Sequence, residues 1–318
     1  MNAITPFHPS REISLPLVEL ETAKDFAAAE KAEATRRAYR SDFDSFRRYC
    51  EARNVSALPA APEAVAAYLA SEASRGIKPS SIGRRVAAIR YAHKLAGCDT
   101  LPTDSEAVRA VVRGIRRSVG AARARKAPIM AETVRAMAEA TPDTLRGARD
   151  RAILLLGFAG AFRRSELVAL NVSDLEETED GFRVTIRKSK TDQEGQGQTI
   201  AIIRGSAACP VRAVKGWLAA AGITEGAIFR SVPGEVAAER LAAAGVANIV
   251  KSYARRLGLN VADFSAHSLR SGFLTSAARR GASVFKMRDV SRHKSMDVLQ
   301  GYVRDAELFH DHAGAGLL

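Results

Sequence analysis

The sequence predicts a mainly α-helical protein with a small antiparallel β-sheet, divided into two domains. The chain has 318 residues, about twice the length of a typical domain, so two hydrophobic cores are expected. Apolar residues recur mostly at helical spacing, and strand-like alternation is confined to a short stretch beyond the middle of the chain. Apolar residues make up 47% and charged residues 26%, which is typical of folded globular proteins and not of disordered ones.

The N-terminal part is expected to be a helical domain at 21–119, preceded by a flexible leader at 1–20 that is rich in proline. Pro62 and Pro79 are each expected to open a helix, because proline suits the first helical position. An earlier helix is marked by apolar residues spaced as one stripe, namely Tyr39, Phe43, Phe46 and Cys50.

A stretch of positive charge spans the end of this region and the residues that follow it. The formal net charge is +13, and residues 107–131 contain seven basic residues and no acidic one. A fourth helix, begun by Asp104 or Ser105, would have valines and an isoleucine on one face and arginines on another. An arginine face of this kind suits a phosphate backbone, so it predicts a nucleic-acid partner. The arginines are Arg109, Arg113, Arg116 and Arg117.

A basic linker is expected at 120–128, since the segment contains glycine, alanine and proline but no periodic pattern. Its three basic residues are Arg123, Arg125 and Lys126, and they suit a strap lying across nucleic acid. They join the four helical arginines as candidate DNA-binding residues.

The second domain, 129–318, is expected to mix helices with one β-hairpin. Residues 182–186 alternate as a strand does, 199–203 are the expected partner strand, and the polar segment between them is the hairpin tip. Helices are expected at 149–161, 211–221, 236–257 and 267–280, with shorter ones to the end.

Several classes of protein are excluded. No run of eighteen apolar residues is present, so no membrane-spanning helix is expected. The first residues lack the layout of a signal peptide, and three scattered cysteines indicate neither a disulfide framework nor a zinc site. A cytoplasmic, nucleoid-associated protein is therefore expected. Phosphate-binding loops, serine-hydrolase elbows and zinc-protease motifs are absent too.

Four short motifs in the second domain occur in a distinctive order. They read FRRSEL at 162–167, HSLR at 267–270, RHKS at 292–295 and GYVR at 301–304. Each is common alone, but the ordered set, with 32 residues from Arg270 to Tyr302, resembles the tyrosine recombinases, or phage integrase family. The resemblance extends over most of the chain and implies a helical DNA-binding domain followed by a mixed α+β tyrosine-recombinase catalytic domain. One position departs from the family pattern, because Arg292 stands where the family frequently carries glycine.

The resemblance implies that Tyr302 is the nucleophile and that Arg163 and Arg270 hold the scissile phosphate. Physical chemistry supports these roles. A phenol is a weak nucleophile at neutral pH unless it is assisted. Attack on a phosphodiester builds negative charge on two non-bridging oxygens, which paired guanidinium N–H groups can bind. Arg164 is the rival of Arg163, but the spacing to Glu166 favours Arg163.

The remaining site residues would move protons or orient the arginines. His267 and His293 can donate hydrogen bonds or shuttle the proton of the tyrosine. Lys190, on the hairpin, is the candidate general acid for the leaving 5′-oxygen, with Lys188 as the alternative. Glu166 would repel a phosphate, so it is expected to orient a histidine or an arginine, or else to form a structural ion pair. No metal ion, other cofactor or ATP is implied.

The family resemblance also implies the partner and the assembly. The partner would be double-stranded DNA with paired inverted half-sites, held in a C-shaped clamp. Four copies would act on two sites and exchange strands through a Holliday junction and 3′-phosphotyrosyl intermediates. A C-terminal segment at 306–318 is expected to dock into a neighbouring copy. Two alternatives stay open: a non-catalytic site-specific DNA-binding protein, and an enzyme of the type IB topoisomerase kind.

Overall fold

The computed structural model describes residues 16–120, 126–187, 197–234, 237–306 and 315. Residues 1–124 and 125–318 form two compact units. Among its described residues, the first unit contains helices joined by short connections and no strand of a sheet. Its helices are α1 (Leu17–Ala29), α2 (Glu33–Glu51), α3 (Pro62–Ser74), α4 (Pro79–Leu95) and α5 (Glu106–Val119), with a short 3₁₀ turn at Pro102–Asp104.

The helix starts of the first unit follow from simple capping chemistry. Pro62 and Pro79 occupy the first turns of α3 and α4, as the sequence predicts. Of the two candidate caps for α5, Ser105 is the one used, and its hydroxyl accepts a hydrogen bond from the Val108 N–H. The leader predicted at 1–20 is too long, because α1 already begins at Leu17. Proline disrupts a helix that extends to the residues before it, so α1 begins just after Pro16. The apolar residues that follow Pro16 favour a helix.

The core of the first unit lies among α2, α3, α4 and α5. The buried aromatic pair Phe46 and Tyr68 have ring centroids 5.2 Å apart and join α2 to α3. Arg84 of α4 donates two hydrogen bonds to the buried carboxylate of Asp42 on α2. The remaining buried apolar side chains are Cys50, Val65, Leu69, Ile82, Ile89, Val108 and Ile115.

The second unit combines eight helices, among its described residues, with a three-stranded antiparallel sheet of order β1-β2-β3. The strands are β1 (Leu175–Glu177), β2 (Gly181–Ile186) and β3 (Gln198–Ile203). The helices are α6 (Ala131–Glu139), α7 (Leu145–Ala159), α8 (Arg164–Ala169), α9 (Pro210–Ala220), α10 (Ala243–Arg256), α11 (His267–Arg279), α12 (Val284–Ser291) and α13 (Met296–Ala306). None of the described helices is long and apolar enough to cross a membrane.

The predicted pairing of the two strands is confirmed, and it is antiparallel. Phe182 faces Ile202 and Val184 faces Ile200 across β2 and β3, and all four side chains are buried. The third strand, β1, is an addition to the prediction. Its residues do not alternate, and it is held by its pairing with β2 rather than by burial of its own side chains.

The helix predicted at 236–257 begins too early, because α10 starts only at Ala243. The residues before it are extended: the Leu241 N–H donates to the Phe229 carbonyl, and Arg240 pairs with Arg230 as a β-bridge. The Arg240 guanidinium also donates to the carbonyls of Val168 and Leu170. These tertiary hydrogen bonds override the local helical preference of an alanine-rich stretch.

The segment that enters the second unit is fixed to α11. The Ile129 N–H donates to the carbonyl of Ser268, and the Ile129 side chain is fully buried. Gly272, one turn further along α11, faces the same backbone, and a Cβ there would lie 1.7 Å from the Ile129 carbonyl oxygen. The residues that lead into the second unit therefore pack directly against α11, the helix that carries His267 and Arg270.

Replacing Gly272 by alanine is expected to destabilise the second unit by about 1–3 kcal/mol, because the new methyl group overlaps backbone. The measurement is urea denaturation followed by the fluorescence of Trp217, the single tryptophan of the chain, which is buried in this unit. Gly216→Ala is the matched control. A Cβ at Gly216, inside α9, meets no atom within 4 Å, so alanine should stabilise the helix by up to about 1 kcal/mol. Equal effects of the two substitutions would contradict this packing.

Candidate active site

Arg163 and Glu166 lie where α7 gives way to α8. The chain turns sharply at Ala161, which has a φ of 44°, and Arg163 then precedes the first residue of α8. Glu166, in the first turn of α8, accepts a hydrogen bond from the Arg163 N–H at 3.0 Å and one from its guanidinium at 2.5 Å. The RxxE spacing therefore fixes the Arg163 side chain against its own helix.

Glu166 holds a second guanidinium from a distant part of the chain. Its Oε2 atom accepts a hydrogen bond from Arg292 Nη2 at 2.8 Å, and both side chains are 1% exposed. Burial tends to raise the pKa of Glu166, but Arg292 and the hydrogen bonds from Arg163 lower it below its usual value. The carboxylate is therefore ionised at neutral pH and lies between two positive charges. Among the described residues, the hydrogen-bond partners of the Glu166 side chain are two arginines and no histidine.

Arg270 lies on the buried side of α11 and is 1% exposed. Its Nη1 atom donates to the Ala161 carbonyl at 2.6 Å, and its Nη2 atom lies 3.2 Å from Nδ1 of His293. Burial, with the repulsion of Arg163 and Arg292, lowers the pKa of Arg270 to about 9, so the guanidinium remains charged at neutral pH. The turn at Ala161 therefore links the two arginines. Its carbonyl accepts a hydrogen bond from Arg270 of α11, and the chain leads from it to Arg163.

The two histidines flank Arg270. His293 follows α12 and is half-buried, and its Nδ1 atom lies 2.8 Å from the hydroxyl oxygen of Ser291. Burial and the charges of Arg270 and Arg163 lower the pKa of His293 to about 3. His267, the first residue of α11, is exposed on one side, and desolvation with Arg270 and Arg163 lowers its pKa as well. Both imidazoles are therefore neutral at neutral pH.

Tyr302 lies in the middle of α13 and is half-buried. Its ring packs against a small apolar cluster formed by α11, α12 and α13, which includes Leu274, Met287 and Leu299. Its phenol acts electrostatically on Arg270 and raises the pKa of that guanidinium. Tyr302 therefore packs against α11, the helix that carries Arg270.

The structure brings together six of the seven residues that the sequence assigns to catalysis or its support. They are Arg163, Glu166, His267, Arg270, His293 and Tyr302. The seventh, Lys190, and its alternative Lys188 lie outside the described residues. Arg164, the rival of Arg163, is exposed, whereas Arg163 is half-buried and pairs with Glu166.

The four predicted DNA-binding arginines of α5 lie on its exposed face. Arg109 is 3.8 Å from Asp104, and Arg113 pairs with Glu106. Arg116 and Arg117 form no ion pair with any described residue. The valine side of the helix is buried as expected, except that Val119, at the last turn, is 54% exposed.

Of the three basic residues in the predicted linker, the structure describes one. Arg123 and Arg125 lie outside the described residues. Lys126, the third basic residue of the predicted strap, donates a hydrogen bond to the Ala262 carbonyl. The following Ala127 N–H donates to the Asp263 carbonyl at 2.8 Å. The end of the predicted linker is therefore attached to the second unit.

Two residues of the site are missing from the sequence prediction. Arg292 has a φ of 59° and a ψ of 38°, the left-handed conformation that glycine usually provides after a helix. An arginine at such a position is a signal that its side chain has a specific partner. Ser291, which is fully buried beside His293, has no comparable signal, because a serine at a helix end is common.

The free energy of unfolding of the second unit is expected to fall as the pH drops from 7.5 to 5. The folded pKa of His293, about 3, lies below the unfolded value of about 6.5. In this window the unfolded chain binds a proton that the folded chain does not, so stability present above about 6.5 is lost on acidification. The slope is at most about 1.4 kcal/mol per pH unit for one proton, and less because the half-exposed ring is partly screened.

The measurement is urea denaturation followed by Trp217 fluorescence at both pH values. His293→Gln, which cannot titrate in this range, is the control and should show a smaller pH slope. A slope unchanged by that substitution would exclude His293 as a source of the pH dependence.

Two family models match the chain. The phage integrase family model matches residues 129–308, more than half of the chain, and the model of the phage integrase N-terminal SAM-like domain matches residues 25–97. The chain belongs to the phage integrase family. It is a tyrosine recombinase, an enzyme of site-specific DNA recombination.

Curated relatives agree with this assignment. The chain is 38% identical over 290 residues to an integrase/recombinase xerD homolog of Selenomonas ruminantium. The aligned region covers 89% of this chain and 85% of that protein. It is 27% identical over 303 residues to tyrosine recombinase XerD of Rhizobium meliloti (strain 1021), with 91% of each chain covered.

Solved structures share the fold. The lambda integrase dimer bound to a COC' core site superposes with a TM-score of 0.60, at 19% identity, over 95% of this chain and 85% of that one. The XerH site-specific recombinase bound to palindromic difH substrate superposes with a TM-score of 0.59, at 14% identity, over 81% of this chain and 72% of that one.

Proposed function

We propose that this recombinase cleaves DNA through Tyr302, whose phenolic oxygen becomes esterified to the 3′-phosphate of the cut strand. The observation that carries the proposal is the placement of three side chains: Arg270 of α11 donates to the Ala161 carbonyl in the turn that leads to Arg163, and Tyr302 packs in the apolar cluster that α11 forms with α12 and α13. A scissile phosphate placed among these three groups meets an attacking oxygen and the positive charge that its transition state requires.

The proposed step exchanges one phosphoester bond for another. The Tyr302 oxygen forms a bond to phosphorus while the bond from phosphorus to the 5′-oxygen breaks. Arg163 and Arg270 neutralise the charge that develops on the two non-bridging oxygens. The phenolic proton passes to one of the neutral imidazoles, His267 or His293. The 5′-oxygen receives a proton from Lys190, or from Lys188, on the hairpin outside the described residues.

Reversal of the step rejoins DNA without an energy source. A phosphotyrosine ester conserves the energy of the cleaved bond, so a 5′-hydroxyl of DNA can attack it and release Tyr302. If the hydroxyl belongs to a second DNA molecule, strands are exchanged. We therefore favour strand exchange over net hydrolysis.

Tyr253 is a poor alternative nucleophile. It is buried on α10, and its hydroxyl donates a hydrogen bond to Asp150 at 3.1 Å. Burial and the Asp150 carboxylate raise the pKa of Tyr253 to about 12. Deprotonation of this phenol therefore costs more than that of an ordinary tyrosine.

Double-stranded DNA is the proposed partner of the α5 arginine face. Arg116→Gln is expected to weaken binding to a short duplex and to lower the slope of log affinity against log salt by about one, since each phosphate contact releases about one counterion. Fluorescence anisotropy over a salt series measures both quantities. Arg53→Gln removes the same charge from an exposed site at the end of α2, over the Tyr49 ring. Equal salt slopes for the two variants would contradict the assignment.

The assembly and location are part of the same proposal. Four copies would act on two DNA sites, each with inverted half-sites, on the nucleoid in the cytoplasm. The segment 306–318, described only at its first residue and at 315, would dock into a neighbouring copy, because its Leu308, Phe309, Leu317 and Leu318 are apolar. Sedimentation of the complex on paired sites tests the number of copies.

The experiment that tests the function is covalent capture of DNA. Fragments of genomic DNA from the organism that encodes the chain are incubated with the protein, and the mixture is denatured. Fragments that remain attached to protein are then sequenced. We expect adducts at few genomic positions with the natural protein and none with Tyr302→Phe, whose DNA binding before denaturation should be unchanged.

Each alternative has its own outcome. Binding without any adduct from the natural protein would indicate a non-catalytic DNA-binding protein. Adducts spread over many unrelated positions, together with relaxation of supercoiled plasmid, would indicate a topoisomerase. Adducts that persist in Tyr302→Phe would place the nucleophile elsewhere.

A further inference from the structure

Arg292 is the buried charged residue at the site for which the proposed reaction has no role. It directly precedes His293, its side chain points inward, and that side chain is 1% exposed. Its backbone is left-handed, a conformation that disfavours every residue with a Cβ relative to glycine. The position therefore combines an unfavourable backbone with the burial of a full positive charge, and both costs must be offset by the contacts of the side chain.

The Arg292 side chain contacts the two groups that hold the proposed clamp arginines. These groups are Glu166, which holds Arg163, and the Ala161 carbonyl, which holds Arg270. Nη2 of Arg292 donates to Glu166 at 2.8 Å, and the same carboxylate holds the Arg163 guanidinium. Nη2 also donates to the Ala161 carbonyl at 3.3 Å, the acceptor used by Arg270 at 2.6 Å. Nη1 donates to the carbonyl of Gly160 at 3.1 Å, and the guanidinium lies 5.2 Å from the centre of the Phe162 ring.

Glu166 also needs a second positive neighbour for electrostatic reasons. Glu166 carries one negative charge next to Arg163, and without a second partner it would partly cancel the charge available to a phosphate. Arg292 restores the balance, because two guanidiniums, Arg163 and Arg292, share one carboxylate, and the site keeps an excess of positive charge. The planar, two-pronged guanidinium reaches the carboxylate and the turn carbonyls at once, which an ammonium cannot do.

We propose that Arg292 is a positioning residue that fixes Arg163 through Glu166 and fixes Arg270 through the 160–162 turn, and so sets the geometry of the phosphate clamp. It does not touch the phosphate itself. The inference rests on the proposed function, since it concerns the reaction at Tyr302. It assigns a role to a residue that differs from the glycine frequent in the family at this position.

Arg292→Gly separates the side chain from the backbone, because glycine adopts the left-handed conformation without strain. We expect this variant to form the covalent adduct about 10- to 100-fold more slowly than the natural protein, the range seen when outer partners of functional groups are removed. Its affinity for the same duplex before cleavage should change less than about twofold, as measured by anisotropy. Arg288→Ala, an exposed position on α12, is the control and should leave the cleavage rate unchanged.

A second substrate separates positioning from a general loss of structure. In this duplex, with a sequence recovered by covalent capture, a methyl group replaces one non-bridging oxygen of the scissile phosphate. The neutral linkage develops less negative charge in the transition state and needs the clamp less. We expect the ratio of the rates on the natural and methylated linkages to fall about tenfold in Arg292→Gly. The ratio is measured on one protein preparation, so a reduced folded fraction cancels.

The outcomes are distinct. A natural cleavage rate in Arg292→Gly, or an equal loss on both linkages, overturns the positioning role while the proposed function stands. If the natural protein forms no adduct on either linkage, the proposed function fails and the inference fails with it. If circular dichroism shows that Arg292→Gly is unfolded, the ratio is measured on Arg292→Lys. That variant keeps a charge near Glu166 but cannot hold the carboxylate and the turn together. A natural ratio in Arg292→Lys overturns the inference.

Discussion

Arg270→Lys will lower the rate of DNA cleavage by about 10²- to 10³-fold while leaving DNA binding close to natural. Removing one preorganised donor from an anionic transition state typically costs this much. The lysine keeps the charge but loses the planar fork, which at present donates to the Ala161 carbonyl and lies against His293. A single ammonium cannot keep these contacts and also bind a phosphate oxygen through two N–H groups.

The rate of adduct formation on a captured DNA site is the quantity to measure, under conditions where all DNA is bound. Arg279→Lys is the matched control, because it makes the same change on the exposed end of the same helix, α11. It should cleave at the natural rate. A threefold or smaller loss in Arg270→Lys would show that this guanidinium does not hold the reacting phosphate.

Glu166→Ala is expected to destabilise the second unit by about 3–5 kcal/mol, the usual cost of leaving a buried charge without its partner. The Glu166 carboxylate is shared by Arg163 and Arg292, and the latter is 1% exposed. Without the carboxylate, two guanidiniums repel each other in a site that excludes water. Urea denaturation followed by Trp217 fluorescence reports the change.

Glu176→Ala provides the comparison for this prediction. Glu176 lies 3.5 Å from Arg183 on the surface of the sheet, and both side chains are more than half exposed. Surface pairs of this kind contribute about 1 kcal/mol or less. Similar losses of stability in the two variants would mean that the Glu166 pairs are not the support described above.

The sequence predicts the parts of this protein that depend on local chemistry. Pro62 and Pro79 open helices because of their fixed backbone, and the alternation at Phe182 and Val184 predicts a strand with one buried face. Arg163 and Glu166 are three residues apart and form a local ion pair. In each case the signal lies within a few residues of the feature.

The sequence is less informative where distant segments decide the structure. Helix α10 begins at Ala243, later than its composition suggests, because the backbone before it pairs with the segment around Phe229. Strand β1 exists through its partner and has no pattern of its own. The sequence around Arg292 does not identify Glu166, 126 residues away, as the partner of its side chain. Such long-range ion pairs become visible only once the fold brings the elements together.

The convergence of the site was predictable only through the resemblance of the ordered motifs to a known family. Periodicity alone places Arg163 after one helix and Arg270 on another, and it gives no reason for them to meet Tyr302. In the structure Arg270 donates to the turn that leads to Arg163, and Tyr302 packs in the cluster that includes α11. The roles of these residues in DNA cleavage remain the proposal to be tested.

Peptide mapping of the captured adduct tests the central claim most directly. After nuclease digestion, trypsin should release the peptide 295–304, because it follows Lys294 and ends at Arg304, and Tyr302 is its one tyrosine. Tandem mass spectrometry is expected to find the nucleotide remnant on Tyr302 in this peptide. A remnant on the peptide 252–255, which carries Tyr253, or on any other peptide, would contradict the account.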